Sequence, residues 1–103
     1  MEHLSFTFEG GQADPHDPVV VGVVSSGNLE VLIEPSSDPT CHITVDTPAR
    51  GFDDVWSAVL GDFFARARLG GVRISINDVG ATPAVVGLRL DQAVRTFRDG
   101  AAR

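Results

Sequence analysis

With 103 residues the chain has room for one hydrophobic core but not for two independent ones, so a single domain spanning 1–103 is expected. Apolar residues at 43% and charged residues at 21% match an ordinary globular protein, which excludes wholesale disorder. Fourteen acidic against eight basic side chains give a formal net charge of −6, the wrong sign for a protein that binds by neutralising phosphates, so nucleic acid is not an expected partner.

The first element is a strand at Leu4–Phe8, where Leu4, Phe6 and Phe8 alternate with Ser5 and Thr7. Two stretches rich in Gly, Pro, Asp and Ser, 9–18 and 35–40, read as loops. Between them Val19–Val24 and Leu29–Glu34 form the arms of a hairpin around the polar turn Ser25-Ser26-Gly27-Asn28. In the second arm Leu29, Val31 and Ile33 share a face while Glu30 and Glu34 point away, so the sheet has one covered side and one wetter side. Cys41–Asp46 is the next strand, with Ile43 and Val45 in phase.

From Phe52 the period changes. Phe52, Val55, Trp56, Val59, Leu60 and Phe63 form one stripe of an amphipathic helix, which Gly70-Gly71 is expected to end. Val72–Asn77 alternates again as a strand. Thr82-Pro83 then supplies a cap and a first helical residue, and Val86, Leu90, Ala93, Val94 and Phe97 follow at helical spacing. The order predicts an α+β fold: a two-layer sandwich in which a largely antiparallel sheet of four to five strands carries two helices on one face.

Candidate chemistry is sparse. A single cysteine, Cys41, excludes an internal disulfide and a multi-cysteine zinc site, and it suits a reducing, cytoplasmic location. Cys41 and His42 are neighbours on a strand, so their side chains diverge and a thiolate–imidazole pair is not expected; Cys41 reads as a small buried apolar residue. His3, His16 and His42 accompany no Gly-x-Ser-x-Gly elbow. Asp14-Pro-His-Asp-Pro18 holds three potential ligands without a partner motif to complete a metal site. The double glycines at 10–11 and 70–71 read as turns and a helix stop, not as a phosphate loop. The N-terminal Met1-Glu-His-Leu4 has no basic segment leading into an apolar one, and no apolar run approaches about 18 residues, so neither a signal peptide nor a membrane span is expected.

The turn at 25–28 has two readings, a polar hairpin connection or a tight turn on stiff strands that presents a serine hydroxyl to a modifying enzyme. Here the residues resemble a family. The run Val21-Gly-Val-Val-Ser-Ser-Gly-Asn-Leu-Glu-Val-Leu-Ile-Glu-Pro35 is similar to the segment around the modified serine of malonate decarboxylase acyl carrier (delta) subunits, which usually have Val-Gly-Val-Val-Gly-Ser-Gly-Asp-Leu-Glu-Val-Leu. The start Met1-Glu-His-Leu-Ser-Phe6 and the motif Ile76-Asn-Asp-Val-Gly-Ala-Thr-Pro83 also match, so the resemblance covers nearly the whole chain. A more distant similarity to the citrate lyase acyl carrier (gamma) subunit selects the same serine. Ser25, Asn77 and Val79 stand where the family usually has Gly, His and Phe.

The resemblance implies a carrier without catalytic residues of its own, whose Ser26 bears a covalently attached phosphoribosyl-dephospho-coenzyme A arm. Ser25 is the rival attachment point. It also implies that the carrier moves acetyl and malonyl thioesters between transferase and carboxy-lyase subunits while malonate becomes acetate and carbon dioxide. A holo-carrier synthase that attaches the arm is then a further partner. The alternative is an unmodified adaptor that bridges larger subunits.

Overall fold

The structure, a computed structural model, describes residues 1–12, 22–26 and 28–101. Its elements are β1 (Glu2–Phe8), β2 (Gly22–Ser26), β3 (Leu29–Pro35), β4 (Cys41–Thr47), α1 (Asp53–Ala67), β5 (Val72–Asp78) and α2 (Pro83–Ala101). The Asp14–Pro18 segment and the part of the first hairpin arm from Val19 to Val21 lie outside the described residues.

The strands form one five-stranded sheet in the order β1-β4-β5-β3-β2. Three of the four pairings are antiparallel, and β4 runs parallel to β5. That parallel pair follows from the connection between them, because α1 carries the chain back along the sheet as a crossover, which a tight hairpin cannot do. Since β4 and β5 point the same way, α1 and α2 both begin at the same end of the sheet.

Alternation decides which face is covered. Leu29, Val31 and Ile33 of β3, Cys41, Ile43 and Val45 of β4, and Val72, Ile74 and Ile76 of β5 are buried on one face. They share a single cluster with Trp56, Leu60, Phe63 and Phe64 of α1 and with Val86, Leu90, Ala93, Val94 and Phe97 of α2. The intervening residues carry polar groups on the opposite face. There Thr7 Oγ1 lies 2.9 Å from His42 Nδ1, Ser5 Oγ lies 3.3 Å from His42 Nε2, and His3 pairs with Asp46. Cys41 and His42 are thus on opposite sides of the sheet, as their adjacency on a strand requires.

Two details depart from the expected pattern. Phe52 and Val55, placed by spacing on the buried stripe of α1, are 49% and 42% exposed, while Phe64 is buried and its ring stacks on Phe8 at 5.0 Å. And α1 does not run to the glycines: it ends at Arg68, which adopts a left-handed conformation with φ 50° and donates its N–H to Phe64 O at 2.8 Å. Arg68 is held there by its position over the Phe64 ring, 5.6 Å from the centroid, and by a bond to Gly10 O at 3.2 Å.

The glycines serve a backbone crossing instead. Gln12 N–H donates to Arg68 O at 2.8 Å and Gly70 N–H donates to Gln12 O at 2.9 Å. A Cβ on Gly70 would lie 2.7 Å from Pro39 O, and one on Gly11 would lie 2.8 Å from the carbonyl of Leu69. Neither position admits a side chain without moving backbone.

Candidate site for covalent modification

The first candidate residues, Ser25 and Ser26, are both paired strand residues. Ser25 is opposite Glu30 and Ser26 opposite Leu29, so only Gly27 and Asn28 separate the last pair of the hairpin. The four-residue turn expected at 25–28 is therefore a two-residue connection, and Ser26 is the final residue of an edge strand. Its distinction from Ser25 is one of register, namely which serine closes the ladder.

The same register fixes what lies beside it. Leu29 pairs on its other side with Asp78, and Asp78 is next to Thr47 at the end of β4. The Thr47 hydroxyl donates to Asp78 Oδ2 at 2.8 Å, while Oδ1 accepts the N–H groups of Gly80 at 3.1 Å and Ala81 at 2.8 Å. Asp78 is only 5% exposed, so these donors take the place of water around its carboxylate. The next residue reaches the hairpin directly, because Val79 N–H donates to Asn28 O at 2.9 Å. The segment after β5, whose sequence alone gives it no task, thus braces the connection that follows Ser26.

Thr82 then caps α2 as its sequence predicts, accepting the Val85 N–H on Oγ1 at 3.3 Å. A cleft of about 330 Å³ opens between the beginnings of the two helices. Phe52, Val55, Trp56 and Val59 form one wall, Ala81 and Val86 part of the other, and Asp78 is the one ionisable side chain among the described residues that line it. The sequence holds a signal for this cleft, but a misleading one: Phe52 and Val55 fall on the helical stripe and so read as core.

Known proteins can now be set beside this arrangement. Residues 16–97 match the family described as the malonate decarboxylase delta subunit (MdcD). The chain belongs to that family. It is 58% identical to the malonate decarboxylase acyl carrier protein of Burkholderia cepacia over 90% of this chain and 87% of the relative. With the protein of the same description from Stenotrophomonas maltophilia strain K279a it shares 54% identity over the whole of both chains. A chain from the crystal structure of a Pseudomonas malonate decarboxylase hetero-tetramer in complex with malonate has the same fold, with a TM-score of 0.80 and 36% identity over 94% of this chain and 99% of its own.

Among the other candidate groups, His16 lies outside the described residues, and Cys41 and His42 lie on β4. Cys41 is fully buried and burial pushes its thiol up to about 11, so it holds its proton near neutral pH. Both ring nitrogens of His42 face hydroxyls of β1 on the far side of the sheet. Among the described residues no three His, Cys, Asp or Glu side chains converge as metal ligands, and no helix is long and apolar enough to cross a membrane.

Proposed function

We propose that the chain acts as one domain, 1–103, serving as the acyl carrier subunit of a malonate decarboxylase, with Ser26 as the attachment point of a phosphoribosyl-dephospho-coenzyme A arm. The observation that carries this reading is the position of Ser26, the last paired residue of an edge strand, next to a two-residue connection braced from Val79. The residues present fit such a group, because among the described residues β2 pairs on one side only, while that pairing holds the position still. No side-chain thiol of the chain competes, since the one cysteine is buried.

When attached, the arm supplies a terminal thiol that holds acetyl and malonyl groups as thioesters. The chain's own residues supply attachment, rigidity and delivery. In the attachment step the Ser26 hydroxyl oxygen bonds to phosphorus of a triphosphate-bearing donor, the bond to pyrophosphate breaks, and the hydroxyl proton passes to a base on the holo-carrier synthase. The carrier itself is non-catalytic, and its partners are the acyl-transferase and carboxy-lyase subunits of the complex. Tethering raises the local concentration of the acyl group to the order of millimolar for a short flexible link, so each transfer becomes nearly intramolecular. A net charge of −6 favours docking on basic entrances of those subunits by electrostatic steering. The free Cys41 accords with a reducing, cytoplasmic setting.

Coexpression with the synthase and intact-mass measurement, with fragmentation, tests the assignment. Ser25→Gly is expected to gain the full added mass and Ser26→Ala none, with both variants folded. Modification of Ser26→Ala but not of Ser25→Gly would move the site to Ser25. Absence of added mass on the chain purified from its native host would favour the unmodified adaptor.

A further inference from the structure

The cleft between the starts of α1 and α2 is close to the attachment serine by topology. Ser26 pairs with Leu29 and Leu29 with Asp78, a lining residue, so two strand spacings, about 10 Å, separate Ser26 from the edge of the cleft. The link is reinforced by the Val79 N–H bond to Asn28 O.

Its walls are mostly apolar. A volume of about 330 Å³ falls within the range of small-molecule pockets. Phe52 and Val55 leave apolar surface open to water along its rim although the helix could have turned them inward. Trp56 reaches the cleft with 7% of its surface exposed.

Charge narrows the occupant further. The one ionisable group in the described lining, the Asp78 carboxylate, is saturated by Thr47, Gly80 and Ala81, and Asp53 and Asp54 begin α1 beside Phe52. No cation lines the cleft among the described residues. A neutral acetyl group would lose little by leaving water here.

We propose that this cleft receives the acetylated end of the arm borne by Ser26. The inference rests on the reading of Ser26 as the attachment point. Its consequence is a shielded resting state within the carrier: the acetyl thioester withdraws against Trp56 until a partner subunit draws it out.

Trp56 is the only tryptophan of the chain, so its fluorescence reports the cleft directly. Holo-chain of verified mass is prepared in its free-thiol and acetyl forms and compared with apo-chain. The emission of Trp56 is expected to change on acetylation and to be the same in the apo and free-thiol forms. Cleavage of the acetyl thioester by hydroxylamine should be about fourfold to fifteenfold slower than that of acetyl-coenzyme A, the protection expected for burying one or two carbon-sized groups.

Val55→Asp, at an exposed position in the first turns of α1, should leave folding and mass gain unchanged and abolish both the emission change and the protection. Absence of added mass at Ser26 would overturn the attachment reading together with this inference. Full mass on Ser26, with Trp56 emission identical in all forms and a cleavage rate equal to that of acetyl-coenzyme A, would overturn the inference alone. So would a Trp56 response that appears only when a partner subunit is added, which would make the cleft a protein-docking site.

Discussion

Alkaline pH isolates one group in this protein. The sequence contains no tyrosine, and all eight of its basic residues are arginines. With no lysine or tyrosine to titrate between pH 9 and the arginine range, Cys41 is alone there. Its thiol is pushed from 9.0 up to about 11 by burial against the sheet and helices. The sign follows from linkage. Well below pH 9, from about pH 8 downward, the thiol is protonated in both states and costs nothing. As pH rises from about 9 to about 11 the unfolded chain loses the proton while the folded chain keeps it, so stability falls through this window and levels off above it. A separation of about two pH units corresponds to roughly 3 kcal/mol, a large part of the roughly 5–15 kcal/mol expected for a domain of this size. Urea denaturation followed by Trp56 fluorescence at half-unit steps from pH 8 to 11.5 measures it, with Cys41→Ala as control. The variant should lose about 1 kcal/mol at pH 8 from the missing sulfur and show no further decline to pH 11. A flat profile for the native chain, or an identical decline in the variant, would refute the assignment of this window to Cys41.

Other expectations follow from particular contacts. Asp78→Ala removes the acceptor of two backbone N–H groups and of the Thr47 hydroxyl, and should destabilise by about 3–5 kcal/mol in the same urea assay, whereas Asp78→Asn, which still accepts on one oxygen, should cost about 1–2 kcal/mol. Equal losses for the two would mean that the carboxylate charge, not the hydrogen-bond geometry, holds the loop. Gly70→Ala places a methyl 2.7 Å from Pro39 O and should cost about 1–3 kcal/mol, while Gly61→Ala, in mid-helix with open space around its Cβ, should stabilise by about 0.5–1 kcal/mol. Thermal melts of the pair should therefore move in opposite directions.

Much of the fold is legible because each element buries one face. The alternation in β3, β4 and β5 and the helical spacing of Leu60, Phe63, Val86, Leu90 and Phe97 are enforced by the core they share. What the pattern does not encode is pairing. Nothing local in Cys41–Thr47 or Val72–Asp78 says that these strands run parallel; that follows from the length of the helical crossover between them. The misread boundaries have physical causes as well. Arg68 ends α1 because a local contact with the Phe64 ring and a tertiary bond to Gly10 support its left-handed backbone, the second of which propensity cannot foresee, and Gly11 and Gly70 are small because two backbones cross there.

The site was less legible than the core, for a reason rooted in topology. Residues 25 and 26 are two serines in a row, and the expectation that Ser26 lies inside the turn while Ser25 ends the arm does not separate them, because both are paired strand residues; family resemblance is what points to the second. Register then gives the choice physical content. A slip of β2 by one residue would bring Ser25 to the closing pair opposite Leu29 and would also exchange the two faces of the strand, against the helix-covered side on which Val31 and Ile33 are buried. Under the proposed assignment, which serine is modified is thus coupled to the packing of the whole hairpin. The cleft is coupled to it too. Because β4 and β5 are parallel, both helices start where β5 ends, and because β3 is antiparallel to β5 and β2 to β3, that is where β3 begins and β2 ends. Substitutions within the hairpin could change which serine carries the proposed arm, but only a change of strand pairing could carry that end of the hairpin away from the cleft.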